Sequence, residues 1–153
     1  MRREFVDELC EFDEEFKEFW HGYTQAVGFT GHEDTEVSDY LFDSKGEFDD
    51  CVTVYPYLRE LLQPNELKEM VTDAWGFLQQ VRQSPELWEE VSKSLNRAGT
   101  DFHFSRNGHG AGFWDGDWEH GTALDNMAEA YRSLEVTGQV KNPRKHRALY
   151  LVH

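Results

Sequence analysis

The sequence predicts an α+β fold, with about four helices packed on a small antiparallel sheet that includes a glycine-rich hairpin. Three observations carry this reading. Apolar residues recur at helical spacing in four separate stretches. Short segments near residues 101 and 148 are rich in aromatic and aliphatic residues and have strand length. Glycines at 108, 110 and 112 stand between two aromatic-bearing segments, as the tight turn of a hairpin would.

The first helix is expected over residues 3 to about 21. Phe5, Leu9, Phe12, Phe16 and Phe19 follow one another at spacings that place them on one helical face. Glu4, Asp7, Glu8, Glu11, Asp13, Glu14, Glu15 and Glu18 fill the other faces. Like charges one turn apart weaken an isolated helix, so packing of the aromatic stripe must hold it. Gly22, and then Gly28 and Gly31, are expected to end it. Residues 32–50 are polar, acidic and without clear period, which reads as loop. CVTVYPYL from Cys51 has strand composition, but Pro56 limits it to an edge strand or extended lead-in.

A second helix is expected from Pro64 to about Gln83, with Leu67, Met70, Val71, Ala74, Phe77, Leu78 and Val81 on its inner face. Ser84-Pro85-Glu86 supplies an N-cap, a proline at the first helical position and an acid in the first turn of a third. Leu87, Trp88, Val91 and Leu95 face inward, and Gly99 reads as its stop. Asp101 to Ser105 is then expected as a strand, with Phe102 and Phe104 on one side and His103 on the other. Phe113-Trp114 would be the return strand of the hairpin. A fourth helix, Thr122 to Leu134, turns Leu124, Met127, Ala128, Tyr131 and Leu134 inward. A last strand is expected over Ala148 to Val152, after a basic turn containing Asn142-Pro143.

A length of 153 residues suits one domain, 1–153, able to bury about two-thirds of its unfolded surface. It divides by composition into an acidic, helical N-terminal part, 1–50, and a remainder, 51–153. Residues 1–50 hold 16 acids against 4 bases, residues 140–153 hold four bases and no acid, and the whole chain carries a net charge of −15. Such a field repels nucleic acid and anionic membranes and attracts basic proteins. Direct nucleic-acid binding and membrane association are therefore not expected. Cys10 and Cys51 have no disulfide or metal-ligand spacing, and the acidic N-terminus has no signal-peptide core. A cytoplasmic address follows as the expectation.

The segment DFHFSRNGHGAGFWDGDW, 101–118, is where chemistry would reside if the chain were an enzyme or ligand-binding domain. Arg106, Asn107, Gly108, His109 and Gly110 could form an anion-binding loop, with His109 or Asp115 as acid or base. Alternatively, the glycines simply turn a hairpin whose Phe102, Phe104, Phe113 and Trp114 fill the core. No phosphate-loop motif is present, and a dinucleotide fingerprint fails at Phe113, where its third glycine is needed. Asp115, Asp117 and Glu119 begin like a calcium loop, but His120 and Asn126 stand where Gly and Glu belong. Ser105 lacks a nucleophile elbow. His103, His109 and His120, with Asp115 or Asp117, match no metal-site spacing. No catalytic residue, metal or cofactor is therefore assigned.

The same segment resembles a family of small, functionally uncharacterised tailed-phage proteins whose signature reads approximately DFWxTRNGHGAGFWD. Weaker similarity extends to PNELKEMVTDAWGFLQQV and to the helix from Thr122, while the acidic N-terminal third is not covered. Arg106, Asn107, His109, Asp115 and the glycines match. His103 and Ser105 stand where the family more often has an aromatic residue and threonine. The resemblance implies a phage accessory protein in the host cytoplasm and implies no reaction.

Eight carboxylates within fifteen residues of the first helix span about 22 Å of axis, over which duplex DNA shows about 13 phosphate charges. The expected function is therefore binding and inhibition of a basic host protein, one that handles nucleic acid or defends the cell, through Glu4, Asp7, Glu8, Glu11, Glu14, Glu15 and Glu18. A small enzyme built on the loop and a virion or assembly component are the alternatives. Lys141, Arg144, Lys145 and Arg147 suggest either pairing with the acidic helix of another copy, as a homo-oligomer would use, or solubilisation of a strand edge. The second is favoured.

Overall fold

The computed structural model describes residues 5–31, 62–139 and 148–152. Its elements are α1 (Phe5–Phe12), α2 (Glu14–Gly31), α3 (Pro64–Arg82), α4 (Pro85–Val91), α5 (Leu95–Arg106), a 3-10 turn (Phe113–Asp115), α6 (Gly121–Glu129), β1 (Glu135–Gln139) and β2 (Ala148–Val152). The fold is helical, which corrects the expected α+β class. Among the described residues no sheet underlies the helices, and strand pairing is confined to an antiparallel ribbon in which Glu135 faces Val152 and Gln139 faces Ala148. The predicted strand CVTVYPYL, the loop before it and the basic turn lie outside the described residues.

The first helix is broken where the sequence suggested continuity. Asp13 leaves the helical path, and its carboxylate Oδ1 accepts from the Phe16 N–H at 3.0 Å, starting α2 as an N-cap. Arg82, at the end of α3, grips Asp13 with both guanidinium nitrogens at 2.9 Å and reaches Glu15 at 2.9 Å. Its cation lies 4.9 Å from the centre of the Trp88 ring. Burial alone would raise the Asp13 pKa, but the bonds from Arg82 and Phe16 hold it below the ordinary carboxylate value. The break also moves Phe12 out of the apolar stripe, leaving it 83% exposed, while Phe16 and Phe19 are fully buried.

Helix α2 continues through Gly22 to Gly31, and α5 runs through Gly99; neither Gly22 nor Gly99 is a stop. Both serve close approach. A Cβ on Gly22 would lie 1.8 Å from the Asn96 carbonyl oxygen, and one on Gly99 would lie 2.0 Å from that of Phe19. Two glycines thus let α2 and α5 touch backbone to backbone, and Thr100 Oγ1 donates across the contact to the Gly22 carbonyl at 3.2 Å. That contact offsets the low helix propensity of glycine, about 1 kcal/mol per residue.

Around this crossing the core is aromatic. The Phe77 ring of α3 sits 4.5 Å from Phe102, 5.8 Å from Phe19 and 5.7 Å from Phe113, and Tyr131 meets Phe102 edge-on at 5.5 Å. All seven residues expected on the inner face of α3 are buried. Ser84 caps α4 by accepting from the Leu87 N–H. The expected third helix is split in two, α4 ending at Val91 and α5 beginning at Leu95. α6 ends at Glu129, short of the expected Leu134, yet Leu134 is still buried from the chain beyond it. No helix among the described residues is long and apolar enough to cross a membrane.

Candidate functional site

The segment 101–118 is not a hairpin. Asp101 to Arg106 is the C-terminal half of α5, because Leu95, Ala98, Phe102 and Arg106 share one helical face, all of them buried. The apparent alternation of Phe102 and Phe104 belongs to a helix, with Phe102 fully buried and Phe104 only partly so. Helix α5 ends at Arg106 with Asn107 as its C-cap, Gly108 turns the chain back in the left-handed region (φ 68°), and Phe113-Trp114-Asp115 forms the short 3-10 turn, not a return strand.

Most polar side chains of the segment face the protein itself. Arg106 is fully buried at its side chain: Nε and Nη2 donate to the Arg132 carbonyl at 2.9 and 2.7 Å, Nη2 also to Asp73 at 2.7 Å, and Nη1 to the Tyr23 hydroxyl at 3.2 Å. Burial pushes the Tyr23 hydroxyl up to about 12, so it remains a neutral acceptor for Arg106. The guanidinium therefore ties α5 to α2, α3 and the chain after α6, and it offers no open face to a ligand anion.

Asn107 is used in the same way. Its Oδ1 accepts from the Leu134 N–H at 2.6 Å and from Ser133 at 2.7 Å, while its amide donates to the carbonyls of His103 (2.9 Å) and Leu134 (3.2 Å). Ser105 accepts from the Phe113 N–H at 3.0 Å. Asp101 accepts the Trp118 indole N–H at 2.7 Å, and burial raises its pKa above the ordinary carboxylate value against that bond. Asp115 is exposed and accepts from the Gly112 N–H of its own turn at 3.4 Å.

The histidines divide. His120 leaves the group: Glu90 of α4 accepts from the backbone N–H groups of Glu119 and His120 and meets the His120 ring at 3.0 Å, closing the start of α6. The Glu90 bond raises the His120 pKa. His103 and His109 come together, with ring centres 5.6 Å apart. His103 is buried, and burial, reinforced by His109 and Arg106, lowers its pKa to about 3. Its ring contacts Thr30 Oγ1 at 2.9 Å and the Asn107 amide at 3.2 Å. His109 Nε2 meets Glu135 at 2.8 Å. Thus Arg106, His109 and Asp115 each turn to a different partner and do not converge, while His103, which departs from the family signature, stands at a polar junction. Gly108 and Gly110 are exposed at the loop crest.

On the acidic helices, Glu8, Glu11, Glu14, Glu15 and Glu18 are exposed and Asp7 is half-buried; Glu4 lies outside the described residues. Glu15 is engaged by Arg82, so its charge is partly matched within the fold. Glu14 and Glu18 border a cavity of about 790 Å³ lined also by Cys10, Trp20, His21 and Asn96. Burial, then Asp7, pushes the Cys10 thiol up to about 11, so it is a protonated wall residue and not a nucleophile.

Asp73, Tyr23, Thr30, Glu90 and Glu135 were not anticipated from sequence. Glu90 acts on Glu119 and His120 just beyond the segment and the others on the segment itself, each from 26 to 83 residues away, and no local pattern marks such a partner. Compared with protein-family models, curated proteins and solved structures, the chain has no match.

Proposed function

We propose that the chain is a non-catalytic phage accessory protein that binds and inhibits a basic host protein handling nucleic acid, its carboxylates taking the place of DNA phosphates. The observation that supports this reading is the exposed set Glu8 and Glu11 on α1 and Glu14 and Glu18 on α2, each pair one helical turn apart within its own helix. Arg82 removes Asp13 and Glu15 from that display by pairing with them.

The loop 106–115 supports the same reading by what it lacks: its cation is spent on Asp73 and Arg132, and its carboxylate caps its own turn. An acid, a base and an anion-holding group do not face one space there. The phage origin rests on the resemblance carried chiefly by residues 101–115.

The test is binding to a host protein retained from lysate at low salt, repeated with Glu8, Glu11, Glu14 and Glu18 changed to Gln. Steering by a concentrated field raises association rates by roughly 10–10³ and is screened by salt, so the variant and the salt series should weaken binding together. Retention that ignores both rejects the reading.

A further inference from the structure

We propose that His103, His109 and Glu135 form a binding site for a divalent transition-metal ion of the zinc type. Three elements bring them together. His103 lies in the last turn of α5, His109 is carried back over it by the turn at Gly108, and Glu135 is the first residue of β1. The His109 N–H donates to the Phe104 carbonyl at 3.0 Å, which fixes the returning backbone. Asn107 fixes the third arm by holding both the N–H and the carbonyl of Leu134, the neighbour of Glu135.

One ligand atom from each of the three residues lies within 4.8 Å of the others, and His109 Nε2 and Glu135 Oε1 are already 2.8 Å apart. A zinc ion takes imidazole nitrogen and carboxylate oxygen at about 2.0–2.2 Å, so tetrahedral ligand atoms stand roughly 3.4 Å apart: His109 and Glu135 would exchange their hydrogen bond for the ion, part by roughly half an ångström and draw in toward His103 by roughly 1 Å. His109 and Glu135 can make that movement, because their side chains are 33% and 41% exposed. At His103 the ion would replace one existing hydrogen bond. Its buried ring is held at both nitrogens, by Thr30 Oγ1 and by the Asn107 amide, so one nitrogen can ligate while the other keeps the partner that orients it.

Two imidazoles and one carboxylate form a borderline donor set, suited to zinc, iron(II) or manganese and poorly suited to calcium or magnesium. Three protein ligands leave further positions toward solvent on the side of the exposed loop, where water would complete the sphere. The competing account is that His109 and Glu135 form a simple hydrogen-bonded pair and His103 is only a satisfied core residue. It predicts no metal at these side chains.

The two accounts separate in a calorimetric titration of the chelator-stripped full chain with Zn²⁺ alone. The site predicts one equivalent bound, with His109→Asn and Glu135→Gln each weakening affinity by at least ~10-fold. His120→Asn should bind as the wild type does, and far-UV circular dichroism of the variants should match it. Absence of binding overturns the proposal. So does binding that survives both substitutions, since the metal would then sit on the acidic surface.

Discussion

Replacing Gly99 by Ala inverts the usual rule for helices. In the interior of an exposed helix this change stabilises by about 1 kcal/mol, because alanine is the better helix former. In α5 the new Cβ would stand 2.0 Å from the Phe19 carbonyl oxygen and 2.7 Å from the Tyr23 nitrogen, both of them backbone atoms of α2. Neither can rotate away, so the two helices must part by about 1 Å or more, and a gap of that size forfeits a quarter to a half of each dispersion interaction across it. The loosening falls on the packing of Phe19 and Tyr23 against Phe102, whose ring centre lies 5.8 and 5.4 Å from theirs. Overpacking of this kind costs about 3 kcal/mol at the upper end of its usual range, leaving a net destabilisation of about 2 kcal/mol after the propensity gain. For a chain of this size that is a fall of about 4–8 °C in melting temperature. Thermal denaturation followed by circular dichroism reads it directly. Gly110→Ala is the control, since nothing lies within 4 Å of its Cβ position, and its effect should stay within about 0.5 kcal/mol. A Gly99→Ala protein as stable as the wild type, or more stable, would refute the backbone contact between α2 and α5.

Three further outcomes follow from the buried polar groups. Arg106→Ala strands Asp73, the Tyr23 hydroxyl and the Arg132 carbonyl, and chemical denaturation should show a loss of about 3–5 kcal/mol. His103 binds its proton more weakly folded (about 3) than unfolded (6.5), so its contribution to stability is complete above pH 6.5 and declines as pH falls toward 3, by up to ~1.4 kcal/mol per pH unit. His103→Phe should remove that slope between pH 6.5 and 4.5; an unchanged difference between variant and wild type across that window would contradict the assignment. Asp101 has the opposite sign: its folded pKa is raised, so stability present below pH 3.8 is lost as pH rises through the folded value. Asp101→Asn keeps an acceptor for Trp118 and should be neutral or stabilising at pH 7, whereas Asp101→Ala should cost about 1–3 kcal/mol by thermal unfolding.

The helix α3 is fully legible in the sequence because nothing competes with its periodicity: its seven inward residues, the proline at its start and the capping serine after it are all local signals. Two of the differences between expectation and structure lie at glycine. Gly22 and Gly99 look like helix stops in sequence, and only the presence of each opposite the other helix explains why the chain tolerates them there. With Gly99 as an end, Asp101 to Ser105 can only be a strand, although Ala98, Phe102 and Arg106 continue the helical face. The hairpin of the expected fold depends on that one boundary.

The site divides along the same line. Exposure of the acidic residues follows from their charge and spacing. What Arg106, Asn107 and His109 do is not legible, since their partners Asp73, Tyr23, Leu134 and Glu135 are remote in sequence and ordinary in type. Glu15 shows the converse: it belongs to the acidic run by sequence, yet Arg82 from the end of α3 takes it up.

The central claim is that function resides in the acidic face of α1 and α2. It is tested most directly by the dissociation constant of a host protein retained at low salt, measured for the wild type and for the Glu8, Glu11, Glu14 and Glu18 to Gln variant, with duplex DNA as competitor. The account predicts that DNA displaces the wild-type chain and that the variant binds at least ~10-fold more weakly. Equal affinity of variant and wild type, with no displacement by DNA, would contradict it.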